Sequence, residues 1–580
     1  YLSVNPKWYA TWRAKLARYA LVACFCTFNF AQILMAQTTT SKPKNMSPLT
    51  TDTLLGDQSL RYILQKKHHL NERGLFFNPL DVLNGKLAGV NVSRGGDQKQ
   101  AMLTSVRVRG TTSLTGGNDP LVVIDGVSSD LATLSTIFPS DILSFKVLKN
   151  ASETAQYGSR GASGVILVST AKGGLGKFRI SYDGNIGFET VYKNLKMLGG
   201  RVNDGGEDND FPRDITRTGF VQNHHLAFSG GTDQSNYRAS MSVMQHLMVV
   251  KTNGYRNFTA KFDLMQKAFD NWLTVNFGLF GSSLSNKKIL NMQQLFYAAA
   301  SQNPTFSTQQ NASGGWDLNS LASQIAHPMA VLHQKDHDRG FNFNTHLSFD
   351  FAIAKHLNAQ LFGSYSFTTL ENAIFQPTWT EAQGKMYRRE NKNEDFLGSI
   401  QLNYNNTWGA HKLDLTATAE HQNNRKQFFF TTVKGLASNA FGYDNLMVGN
   451  IHPYKGTSSG YESPKLTSFM GNLSYTFLNR YALSLTLRAD GSTLVGHNNT
   501  WGFFPSTGLE WNLKEEKWLQ DVKWLDHLKL QTSVGRSGNL GGILAYYTQQ
   551  TLVPSGIISY HGIPTVTLGQ IRNANPNLKW

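Results

Sequence analysis

The sequence predicts two unlike parts: a small α+β domain over Leu80–Gly174 and a long antiparallel β region from Lys177 onward. Three observations carry that expectation. Across Leu80–Gly174, short β-branched runs alternate with turn residues and one helical stretch. From Lys177 the texture becomes strict apolar–polar alternation, the period of a strand with one apolar and one wet face. The composition, with 52 glycines against 16 prolines, 12% aromatics and only 16% charged residues, suits many strands and tight turns better than helical bundles. At 580 residues the chain exceeds what one soluble core supports, since cores stop growing near roughly 250–300 residues, so several domains or one large barrel are required.

Taken in order, the chain opens with Lys7, Arg13, Lys15 and Arg18 ahead of an apolar run from Tyr19 to Ala36. This pattern reads as a secretory signal peptide over 1–36, cleaved after Ala36. Leu21-Val22-Ala23-Cys24 looks like a lipoprotein cleavage box, but the apolar run continues past the cysteine, so lipidation is the weaker reading. Cys24 and Cys26 are the chain's two cysteines, which leaves the body without a disulfide, a thiolate metal site or a cysteine nucleophile. Residues 37–79 read as a polar periplasmic tail and linker, with a short helix expected over Arg61–Lys67.

In the α+β domain, Leu121–Ile124 stops at Asp125-Gly126, and Gly164–Thr170 is a second β-branched run, so both fit buried strands bounded by turn chemistry. Ala151–Tyr157 between them is expected to be helical. Gly158, Gly161 and Gly164 stand three apart between helix and strand, where a backbone turns tightly or approaches another surface closely. Arg107 and Arg109 alternate with Val106 and Val108 and therefore share one strand face.

The β region repeats one pattern. Phe178, Ile180, Tyr182, Ile186 and Phe188 oppose Arg179, Ser181, Asp183, Asn185 and Glu189; Phe258, Ala260, Phe262 and Leu264 oppose Asn257, Thr259, Lys261 and Asp263; Leu357, Ala359, Leu361, Tyr365 and Phe367 oppose Asn358, Gln360, Ser364 and Ser366. Leu473, Tyr475 and Phe477 lead through a short turn, Leu478-Asn479-Arg480, to Tyr481, Leu483, Leu485 and Leu487. Long polar segments, Lys287–Arg339 and Thr431–Pro464, separate other pairs. Two architectures answer to such alternation, a soluble sandwich and a membrane barrel. Aromatics at strand ends and strand lengths approaching the roughly 9–11 residues of a tilted membrane strand favour the barrel. No stretch after the N-terminus approaches the roughly 20 apolar residues of a spanning helix, which is no objection, because barrel strands have unremarkable mean hydropathy.

Chemistry-bearing groups are sparse. Asp204, Glu207, Asp208, Asp210 and Asp214 lack the spacing of a calcium loop and read as an acidic connection. His68-His69 and His224-His225 are adjacent pairs, which in a strand point to opposite faces and chelate poorly. Glu371, Glu515 and Glu516 have no spaced partner marking an acid–base pair, and no strand-to-helix nucleophile elbow occurs. The +16 formal charge is scattered rather than clustered, so nucleic acid is not an expected partner.

The ordered stretches VRVRG (106–110), PLVVIDGV (120–127), DILSFKVLKN (141–150) and YGSRGASGVILVST (157–170), followed by LRADGS (487–492), WGFFPS (501–506), GRSGN (535–539) and NPNLKW (575–580), carry a resemblance that covers most of residues 80–580. Together they resemble the SusC/RagA-like TonB-dependent outer-membrane transporters. The resemblance implies an all-β transmembrane antiparallel β-barrel with an N-terminal α+β plug domain, the plug at 80–176 and the N-terminal portion of the barrel at 177–580. It marks Arg107, Arg109, Gly110, Asp125, Gly126, Tyr157, Gly158, Arg160, Gly161 and Gly164 as plug-motif residues. Asp52-Thr53-Leu54-Leu55 is the local candidate for a TonB-contacting segment, with a plain linker as the alternative.

The implied function is TonB-dependent import of a nutrient, a glycan, oligosaccharide or peptide, across the outer membrane. It needs no catalytic residue, metal or cofactor. The implied partners are TonB with its inner-membrane motor, a SusD-like surface lipoprotein and outer-membrane lipid. Residues 177–580 supply about a dozen membrane-length strands at 9–11 residues each, against the 22 of a plugged transporter barrel, so a barrel truncated at the C-terminus is expected. A non-transporting surface or glycan-binding protein and a truncated remnant are the rival readings. In a plug enclosed by a polar lumen, Arg107 and Arg109 are expected to latch onto carboxylates of the barrel wall.

Overall fold

The computed structural model describes residues 79–80, 89–94, 104–108, 110–111, 113, 117–194, 197, 208–312, 314–316, 326–452 and 455–580. The expected leader, the tail with Asp52–Leu55, the Arg61–Lys67 helix, His68-His69 and Arg109 lie outside the described residues.

β1 (Val90–Arg94) and β2 (Thr104–Val108) form an antiparallel pair. The domain's main sheet holds β3 (Leu121–Ile124), β4 (Val127–Ser129), β5 (Ile142–Leu148) and β6 (Val165–Thr170) in the order β4-β3-β6-β5, with β3 and β6 parallel. Asp125 (φ +49°) and Gly126 (φ +89°) make the β3–β4 turn, and two successive positive φ values are what an Asp-Gly pair tolerates in a tight hairpin. The helix Leu131–Thr136 begins at Asp130, whose carboxylate accepts the Thr133 N–H at 2.7 Å. Val106, Val122, Leu134, Phe145 and Ile166 are fully buried in one apolar cluster. The helix expected over Ala151–Tyr157 is α-helical for Ala151–Thr154 and continues as 3₁₀ turns to Gly161.

From Gly176 the chain builds one antiparallel wall: β7 (Gly176–Glu189), β8 (Gly219–Gly231), β9 (Ser235–Leu247), β10 (Gly254–Ala268), β11 (Leu273–Lys288), β12 (Lys335–Ala354), β13 (Leu357–Gln376), β14 (Lys385–Trp408) and β15 (His411–Lys434). Short β16 (Asn450–Ile451) and β17 (Thr457–Glu462) return onto the far end of β15; β18 (Lys465–Phe477), β19 (Tyr481–Ser492), β20 (Trp501–Asn512) and β21 (Lys529–Gly535) then continue the wall. Among the described residues thirteen strands pair in sequence, and the sheet is open, with β7 and β21 as its edges. β22 (Thr551–Tyr560) and β23 (Ile563–Arg572) form a separate hairpin. β14 and β15 run 24 residues each, well beyond what a bilayer requires, because each hairpin goes on pairing past the apolar band. Hence β12 begins at Lys335, inside the stretch expected to be loop.

Burial separates the two architectures left open by the alternation. Along β10, Asn257, Thr259, Lys261 and Asp263 are buried while Phe258 is 45% exposed; along β7, Phe178, Ile180 and Phe188 are more than half exposed. A sandwich buries its apolar faces against each other. Here the polar face lies against the α+β domain and the apolar face points away, the arrangement of a membrane barrel wall around a plug. At one end of the wall the connections 232–234, 269–272, 355–356, 409–410 and 478–480 are short, with 513–528 the exception; at the other, 289–334 and 435–464 are long. Leu478 and Asn479, both at φ +57°, make the tight turn expected there.

Candidate functional site

The plug segment from Tyr157 to Gly164 is seated against the wall by a neutral cluster of four charges. Gly158 has φ +54°, and a Cβ added there would lie 2.3 Å from both Arg488 Nε and Asp490 Oδ2. Arg488 sends Nε–H to Asp490 Oδ1 (2.6 Å), Nη2–H to Ser468 Oγ (2.9 Å) and Nη1–H to the backbone carbonyl of Gln156 (2.6 Å). The Ser159 N–H donates to Asp490 Oδ2 at 3.2 Å. Arg160 donates to the Glu420 carboxylate, to Gln422 Oε1 (2.9 Å) and to Ser128 Oγ (3.1 Å). Glu420 also lies 3.6 Å from Arg488, so one carboxylate is shared by a plug arginine and a wall arginine. Arg488 and Asp490 are almost wholly buried, which is tolerable because two cations face two anions and Arg488 donates through all three of its nitrogens. Burial pushes the Tyr157 hydroxyl above its ordinary value, with Arg160 opposing and Glu420 adding, so it stays protonated.

A second seat lies across the plug. Asp141, preceding β5, receives Arg238 Nη2–H at 2.8 Å and the Ser240 hydroxyl at 2.9 Å, and His225 Nε2 stands 3.0 Å away. Phe138 stacks on the His225 ring, centroids 4.9 Å apart and 5° from parallel. Burial pushes the Asp141 carboxyl up, but His225 and Arg238 together outweigh it and hold it below the usual value. A third contact sets Asp125, which accepts the Thr170 N–H (3.0 Å), 3.8 Å from Lys261 of β10.

Between the plug and the stretch after β21 lies a cavity of about 720 Å³. Arg107, Asp119, Asp130, Arg160 and Ser163 line it on the plug side and Asn539–Gly541 on the other, and the Gly117 N–H donates to the Gly541 carbonyl at 3.2 Å. Arg160 thus faces the cavity and holds the wall at once.

A family model described as the TonB-dependent receptor plug domain matches residues 67–165, and one described as TonB-dependent receptor-like β-barrel matches residues 285–580. The chain belongs to the TonB-dependent receptor family. The chain is 28% identical over 571 residues to SusC of Bacteroides thetaiotaomicron, a match that covers 88% of this chain and 55% of the relative, and 28% identical over 529 residues to a TonB-dependent receptor of Formosa agariphila, covering 86% and 51%. The chain spans about half the length of these curated relatives. Among solved structures, the RagAB peptide importer in its closed-closed state superposes with a TM-score of 0.73 at 18% identity, over 90% of this chain and 64% of that one. Unliganded ferric citrate transporter FecA gives 0.50 at 11% identity, over 78% and 59%. Both likenesses concern the fold. The family is one of transporters and receptors, whose members are outer-membrane β-barrels.

Within the described residues the sequence-predicted residues are only partly brought together. Arg107 differs from expectation: it pairs with Asp119 of the plug itself, not with the wall, because residues 117–119 fold back over its strand face. Gly110 (φ +99°) is exposed, and among the described residues no atom lies within 4 Å of an added Cβ. A Cβ on Gly126 would touch the Phe362 ring of the wall at 3.4 Å. Gly161 and Gly164 are tight inside the plug, against the Thr154 carbonyl and the Val108 side chain, each at 2.8 Å. His224 and His225 take opposite faces, the first meeting Tyr182 Oη at 2.6 Å and the second reaching Asp141. Asp210 accepts the Arg213 N–H (3.2 Å) at the start of a short helix, and among the described residues no group of three His, Cys, Asp or Glu could hold a metal.

Sequence reasoning missed Asp141, His225, Arg238, Glu420, Arg488 and Asp490 as partners. The available signal was charge on the wet face of wall strands: Arg488 and Asp490 are two apart in β19 and so share a face, and a buried charge requires a partner.

Proposed function

We propose that this chain is the plug (80–176) and part of the barrel (177–580) of an outer-membrane importer that takes an oligosaccharide or peptide into the cavity beside Arg160 and passes it on when the plug is displaced. The short-turn end of the wall faces the periplasm, as in outer-membrane barrels generally, and the long loops face outward. TonB and its inner-membrane motor pull from the periplasmic side, and a SusD-like lipoprotein covers the outer end. The similarity to SusC and the fold likeness to a peptide importer support this reading.

One observation carries it: Arg160 is both a cavity residue and the plug's ion-pair arm to Glu420. A bound group that draws on the Arg160 guanidinium weakens its hold on the wall, so occupancy lowers the work needed to move the plug. Removing one partner of a buried pair costs about 3–5 kcal/mol, reduced here because Arg160 and Glu420 each keep about one sixth of their side-chain surface exposed.

The test compares Arg160→Gln, Glu420→Gln and the double variant at equal surface expression. Each single change is expected to raise passive uptake of a large antibiotic and to lower energised uptake. The double variant should add little to either, since coupled pairs depart from additivity by about 0.5–3 kcal/mol. Permeability and uptake unchanged in both single variants would overturn the coupling.

A further inference from the structure

The inner face of the wall continues past the plug toward the long loops, and there its chemistry changes. Glu420 and Gln422 of β15 hold Arg160, so residues an even number of positions further along the strand share their inward face. Phe428 is one of them, about 26 Å beyond Glu420 at 3.3 Å per residue. Its ring lies across Gly460 of β17, the residue opposite it in register, where an added Cβ would strike it. The Arg389 guanidinium of β14 sits over the same ring, 5.3 Å from its centroid, and Tyr387 meets Phe430 with centroids 6.1 Å apart. The lumen thus gains a patch of aromatic and guanidinium planes.

Deeper in the lumen the inward cations are matched: Arg160, Arg238, Lys261 and Arg488 each face a carboxylate. Arg389 and Lys426 are not. Among the described residues no carboxylate lies within 4.0 Å of either. Glu462, opposite Lys426 in register, is the inward acid of β17, and against it the inward rows of β14 and β15 set Lys385, Arg389, Lys426 and Lys434, the last bridged to Glu381 at 3.6 Å. The inward acid below them on β14, Asp395, accepts the Gln422 amide at 2.9 and 2.7 Å. The patch therefore keeps an excess of positive charge. Amide acceptors adjoin it: Asn391 Oδ1 takes the Arg389 Nε–H at 2.9 Å, whereas Asn393 Oδ1 and Asn424 Oδ1 accept no hydrogen bond among the described residues. Here β15 is paired with β14 on one side and β17 on the other, so its backbone is occupied and side chains do the receiving.

We propose that this inward patch receives an acidic oligosaccharide, a sugar ring lying on Phe428 and Phe430 and its carboxylate or sulfate held between Arg389 and Lys426. The subsite rests on the import reading above: it stands on the strand that leads to Arg160, so a chain received there is already aligned with the latch. The guanidinium fork suits a planar, multidentate acid group, and the free amide oxygens suit hydroxyl donors. An extended peptide is recognised chiefly by pairing with a free strand edge, and none is offered here.

The test titrates the full-length protein in mild detergent with hexamers of galacturonate, chondroitin sulfate, neutral maltose units and glutamate, by calorimetry. Wild type is expected to bind at least one of the two acidic sugars about tenfold tighter than maltohexaose or hexaglutamate, and less tightly as salt rises. Arg389→Gln/Lys426→Gln should lose that preference. Glu462→Gln, which removes the competing acid and leaves the platform whole, should bind the acidic sugar severalfold tighter, so the subsite stays testable if the double variant fails to fold. No binding of either acidic sugar, no preference over maltohexaose, or equal affinity in wild type, the double variant and Glu462→Gln overturns the subsite. A preference for hexaglutamate overturns the sugar and gives the cations to acidic peptides. None of these outcomes touches the import reading, which falls on its own if the Arg160 and Glu420 variants keep wild-type permeability and uptake.

Discussion

Gly158 of the plug and Arg488 of the wall are packed without room for a single methyl group between them, an added Cβ falling 2.3 Å from the arginine's Nε. The glycine therefore serves two needs, a φ of +54° that side chains resist and a surface flat enough for a buried guanidinium to reach the Gln156 carbonyl.

Gly158→Val is accordingly expected to unseat the plug. Holding a side chain in that backbone region costs about 1–3 kcal/mol, and the atoms it would strike belong to Arg488 and Asp490, which are buried and cannot swing away. The wall strands lie elsewhere in the chain, so insertion should persist while passive dye entry rises. Ser159→Ala, which keeps the backbone N–H to Asp490, should leave dye entry at the wild-type level. Equal permeability of Gly158→Val and wild type would show that the seam yields to the added side chain.

The Asp141 seat should depend on acid. Its carboxyl titrates below the ordinary 3.8 in the folded protein, so its contribution is complete above pH 3.8 and is lost as pH falls through the lower folded-state value. Asp141→Asn removes that contribution at every pH and leaves Arg238 buried without its anion, at a cost of about 3–5 kcal/mol. Calorimetric melting of the detergent-solubilised protein should show a wild-type advantage over Asp141→Asn at pH 5 that shrinks below pH 3.8. An advantage that stays constant into strong acid would mean the carboxylate does not seat the plug.

The elements of the fold were legible in the chain because their signals are local. The β3–β4 turn follows from Asp125-Gly126, and the wall from alternation that names both faces of β10. Which face would be buried was not local: Lys261 and Asp263 are buried only because a plug fills the space they point into. The seats were illegible for the same reason. Arg160 and Glu420 are 260 residues apart, and nothing near either names the other. Arg107 shows the converse error, since alternation gave its strand face correctly but could not reveal that Asp119 would fold across that face first.

The outward sense of the apolar face gives the last prediction. Leu361 and Gln360 are neighbours in β13, so their side chains leave the wall in opposite directions. Leu361 is 46% exposed on the outer face, among Phe349 and Ile400; Gln360 points inward, where its Nε2–H donates to Asp350 Oδ1 at 2.6 Å. An arginine at 361 must place its charge in hydrocarbon, at about 2–4 kcal/mol near the midplane and less toward the interfaces. An arginine at 360 enters a polar lumen and finds the Asp350 carboxylate already in place. Leu361→Arg should therefore lower the amount of folded protein in the outer membrane severalfold, measured by heat-modifiable migration on gels, while Gln360→Arg stays near wild type. If both changes are tolerated equally, or the order reverses, the outer face of β13 does not meet lipid.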